Sequence, residues 1–119
     1  MRYPNSPLGG VPAKFVAGVF GDAATLTIAS GVLAKVTNSK NLLVAGQGGA
    51  ADDLTSITGY SDGDLLLLRP ASGSVTITVK DNADLNLSGS DFVMDDEYDS
   101  MILLNVGSNK WVELSRSAN

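Results

Sequence analysis

The ionisable side chains decide first what chemistry this chain can attempt. Its 119 residues include neither cysteine nor histidine, which removes thiolate nucleophiles, imidazole bases and the commonest transition-metal ligands together. Carboxylates remain. Asp52, Asp53, Asp62, Asp64, Asp91 and Glu113 are raw material for a glycosidase pair, which needs two carboxyl groups at a set separation, one with a raised pKa. Acidic residues collect in turns for simpler reasons, and a short β domain rarely builds a substrate cleft alone. The run Asp95-Asp96-Glu97 with Asp99 offers oxygen atoms of the kind calcium takes, but its spacing is not that of an EF-hand loop, and a solvated acidic turn is the plainer reading. Gly46-Gln47-Gly48-Gly49 has the glycines of a phosphate loop without its Lys and Ser or Thr. No Gly-x-Ser-x-Gly elbow occurs, and a serine would have no histidine base. The sequence therefore assigns no catalytic residue, no metal ligand and no cofactor.

Thirteen acidic residues against eight basic ones leave a net charge of −5, with Lys and Arg scattered singly. No basic stripe is present to neutralise a phosphate backbone, so nucleic acid is not expected as a partner. The start lacks the apolar stretch of a secretory signal, and the aliphatic run 65–68 is too short to cross a bilayer, so no membrane is expected either.

The elements that must carry these residues read as strands. Residues 1–14 hold three of the four prolines and Gly9-Gly10, a composition that resists helix and sheet and predicts an extended arm. From residue 15 to 119, apolar segments are broken by turn residues about every 8–12 positions, as in small all-β domains. About ten strands are expected, arranged as a small antiparallel β-sandwich or barrel, with a jelly roll among the wirings the spacing allows. In the segment 74–80, Val75, Ile77 and Val79 alternate with Thr76, Thr78 and Lys80, so one face covers a core and the other meets water.

Two strands break that rule. Residues 64–69 carry four consecutive leucines, and residues 101–106 place apolar side chains on both faces. In an isolated sandwich the outer face should be wet, so either a second chain covers it or the strand lies centrally beneath a loop. Leu66, Leu68, Met101 and Leu103 are the expected subunit contacts. Trp111 joins them if Val112 and Leu114 face the core, since alternation then turns Trp111 outward. Such a tryptophan packs partly buried under a neighbouring loop, serves a protein contact or stacks on a sugar, the first two being the commoner outcomes.

The order Ile57-Thr58-Gly59, Gly63-Asp64, Leu68-Arg69-Pro70-Ala71, Val75-Thr76-Ile77-Thr78-Val79-Lys80-Asp81, Leu85, Leu87, Gly89, Phe92 and Gly107-Ser108-Asn109-Lys110-Trp111-Val112-Glu113-Leu114-Ser115-Arg116 resembles a β-module of bacteriophage capsid-decoration and head- or tail-fibre proteins. The resemblance covers about half the chain, and after Asp81 the turn Asn82-Ala83-Asp84 is shorter than in similar sequences. It implies a virion structural protein made in the host cytoplasm and seated on the capsid surface, with the major capsid protein as partner and three copies per assembly. The short chain with its own Met favours a stand-alone decoration or cement subunit over a fibre tip that binds host glycans. The arm, with Tyr3, Pro4, Pro7 and Pro12, is then the expected capsid contact, since a proline-restricted segment loses less entropy on docking.

Overall fold

Alternation of core-facing and solvent-facing positions makes eleven strands of residues 20–119, the span that the computed structural model describes. The arm and its Tyr3, Pro4, Pro7 and Pro12 lie outside the described residues. The strands are β1 (Ala23–Thr27), β2 (Val32–Ala34), β3 (Asn41–Ala45), β4 (Ala51–Leu54), β5 (Ser56–Thr58), β6 (Leu65–Pro70), β7 (Thr76–Val79), β8 (Leu85–Asn86), β9 (Phe92–Met94), β10 (Ser100–Asn105) and β11 (Trp111–Ser117). The all-β expectation holds, and the alternating strand around Ile77 is β7, with Ile77 and Val79 buried and both threonines half-buried.

The wiring departs from an antiparallel sandwich. β1 pairs parallel to β3 and β3 parallel to β6, while β2 lies parallel to β5 and β4 parallel to β7. Successive turns of the chain therefore stack on one another: Asn41 sits beside Leu67, Val32 beside Ser56 and Ala51 beside Thr76. This is a solenoid-like arrangement, in which each turn contacts its neighbours and the crossover between parallel strands is made of strands of the other sheets rather than a helix. The later strands alternate direction, with β8 lying parallel to β11 at the sheet edge. β9 runs antiparallel to β7, β10 to β6 and β11 to β10, which closes the far edge of the stack. The result is one six-stranded sheet, β1-β3-β6-β10-β11-β8, with sheets of three and two strands around the same core. Turn spacing predicts strand length, and the corners of a solenoid have the same spacing as hairpins, so the misreading has a physical origin.

The core forms from rows of side chains stacked across the turns. Ala24, Leu42, Leu68 and Met101 make one row, and Leu26, Val44 and Pro70 the next. Each fully buried leucine contributes about 1.5–3 kcal/mol. The corners require glycine where the chain turns tightly. Gly31 has φ +83°, and a Cβ there would lie 2.6 Å from Thr55 Oγ1, so only glycine fits.

Candidate functional site

Trp111 opens β11 and points inward: its side chain is 1% exposed, against the outward orientation expected from the sequence. Its indole Nε1–H donates to the Ile57 carbonyl oxygen at 3.1 Å. Ser56 N–H and Thr58 C=O face β2, bonded to Gly31 O and Lys35 N–H, so alternation turns the intervening Ile57 carbonyl towards the tryptophan. Tyr60 meets the indole edge to face, with ring centroids 5.7 Å apart, and Lys35 Nζ lies 5.5 Å above the tyrosine ring. Burial, and secondarily the Asp64 charge, push the Tyr60 phenol above its ordinary range. Among the described residues, the buried Tyr60 Oη, Arg69 Nε and Asn105 Nδ2 have no hydrogen-bond partner.

The inward face of β11 continues through two charged residues. Glu113, its side chain only 4% exposed, accepts from Arg116 Nε and Nη2, both at 2.7 Å, and from the Ser88 N–H at 2.9 Å. Arg116 also donates to the carbonyls of Ser90 and Asp91 and lies 4.9 Å over the Phe92 ring. The Arg116 guanidinium holds the Glu113 carboxyl below its usual range. The Trp-x-Glu-x-x-Arg pattern that closes the chain is thus a staple: it ties β5 and the loop 88–91 onto β11. The bulge between Ile102 and Leu103 makes this geometry, because it skips Leu114 and brings both Glu113 and Arg116 to the core side.

The carboxylates do not converge. Asp64 pairs with Lys40 at 3.3 Å, Asp91 with Lys80 at 2.8 Å and Glu113 with Arg116. Asp64, held chiefly by the Ser61 N–H, and Asp91, held chiefly by Lys80, both lie below their ordinary values. A glycosidase acid needs the opposite shift. Asp52 accepts from the backbone of Gln47 and Asp53, which folds the Gly-rich loop. Asp99 is buried, with Oδ2 accepting from Asp95 and Asp96 N–H and Oδ1 from Asn119 N–H. Its oxygens therefore order the acidic turn from within. No cluster of metal-binding side chains forms among the described residues.

The expected subunit contacts need correcting. Leu66, Leu68, Met101, Leu103 and Trp111 are each at most 1% exposed, because they fill this chain's own core, so none can touch a second subunit. The side chains that alternate with them point the other way. Leu65, Leu104 and Val112 align in one row across the six-stranded sheet, and Asn41, Leu67, Ile102 and Ser115 in the next. Leu43 stands beside Arg69 in a third row, and Leu114, displaced by the bulge, is 55% exposed. This outer apolar face was legible as two-sided strands, but the assignment of faces depended on which residues alternate inward.

Arg69, on the interior strand β6, donates from Nη2 to Asn41 Oδ1 at 3.1 Å. The first two of these rows carry no ionisable group. Comparison with protein-family models and with curated proteins finds no match to this chain.

Proposed function

We propose that this protein is a structural subunit of a bacteriophage particle, a decoration or cement protein that seats on the outer capsid surface as an oligomer, with three copies as the expected number. The reading rests on the resemblance of residues 57–116 to phage virion modules, and one observation of the fold carries it furthest. The motif residues of that module are engaged in holding the chain together: Trp111 on Ile57, Glu113 and Arg116 on the loop 88–91. On the other side of the six-stranded sheet stand the half-buried Leu65, Leu67, Ile102 and Leu104 and the exposed Leu114, side chains suited to contact with another protein.

The major capsid protein is the proposed partner. Cementing works by multivalency, in which several weak contacts from one oligomer span neighbouring shell subunits. The alternative, a fibre tip that binds host glycans, rests on the same resemblance; its other support, an outward Trp111, is lost with the 1% exposure of that side chain. The test is to compare particles with and without this protein. Complete particles should survive heat and osmotic shock that opens the depleted ones. Equal survival would overturn the cementing mechanism.

A further inference from the structure

We draw no further inference here: the strongest candidate, the apolar outer face of the six-stranded sheet around Leu65, Leu67, Ile102, Leu104 and Leu114, carries none because nothing in the structure shows what covers it.

Discussion

Replacing Arg116 with alanine should be among the most damaging single changes near the surface of this protein. The guanidinium makes two 2.7 Å contacts to Glu113, reaches the Ser90 and Asp91 carbonyls, and covers Phe92. Without it the Glu113 carboxylate, its side chain 4% exposed, keeps only the Ser88 N–H as partner. Breaking a buried pair from one side costs about 3–5 kcal/mol, and the partial exposure of Arg116 places this case near the lower end, at about 3 kcal/mol. The loss should depend on pH. In the wild type the folded Glu113 pKa lies below its ordinary value of 4.5, so the pair stabilises the fold above that value and the contribution fades as pH falls through the folded pKa. In Arg116→Ala the buried carboxyl gains by protonation instead. The gap between the two proteins should therefore be widest at pH 7 and narrow progressively as pH falls from 4.5 through the lower folded pKa. Urea titrations followed by the fluorescence of Trp111, the single tryptophan, measure it directly. The double variant Glu113→Leu/Arg116→Leu should lose less than Arg116→Ala, since no charge is stranded. A cost below about 1 kcal/mol at pH 7, or a cost as large at pH 3 as at pH 7, would refute the staple.

Two further changes probe the same end of the molecule. Trp111→Phe leaves the Ile57 carbonyl without its indole donor and should cost about 1–3 kcal/mol in a denaturation followed by circular dichroism; a neutral result would mean that the hydrogen bond is dispensable. Asp99→Ala removes the acceptor of three backbone N–H groups and should cost about 2 kcal/mol, while millimolar calcium leaves the wild-type midpoint where it was; a calcium-dependent rise in that midpoint would restore the acidic turn as a metal site.

Local patterns were legible where a residue's neighbours in sequence determine its environment. The Val75, Ile77, Val79 alternation gave β7, and glycine-bearing corners such as Ser30-Gly31 marked the ends of strands. Which strands lie side by side was not legible, because Asn41 meets Leu67 through register alone. Trp111 shows how such an error spreads. Assuming Val112 and Leu114 inward put the tryptophan outside, and the five residues chosen as contacts were those of the core. Alternation groups Trp111 with Glu113, a charged residue at what proves to be an inward position. Only the pairing of Glu113 with Arg116, three positions on and across a bulge, makes that position tolerable. The two-sided apolarity of β6 and β10 was read correctly from composition, since no assignment of faces is needed to see it.

The central claim is that this chain coats a capsid, and the number of copies per particle tests it most directly. Quantitative mass spectrometry of purified virions should find this protein in hundreds of copies, in a fixed ratio to the major capsid protein. A handful of copies per particle, confined to one tail or one vertex, would contradict the account.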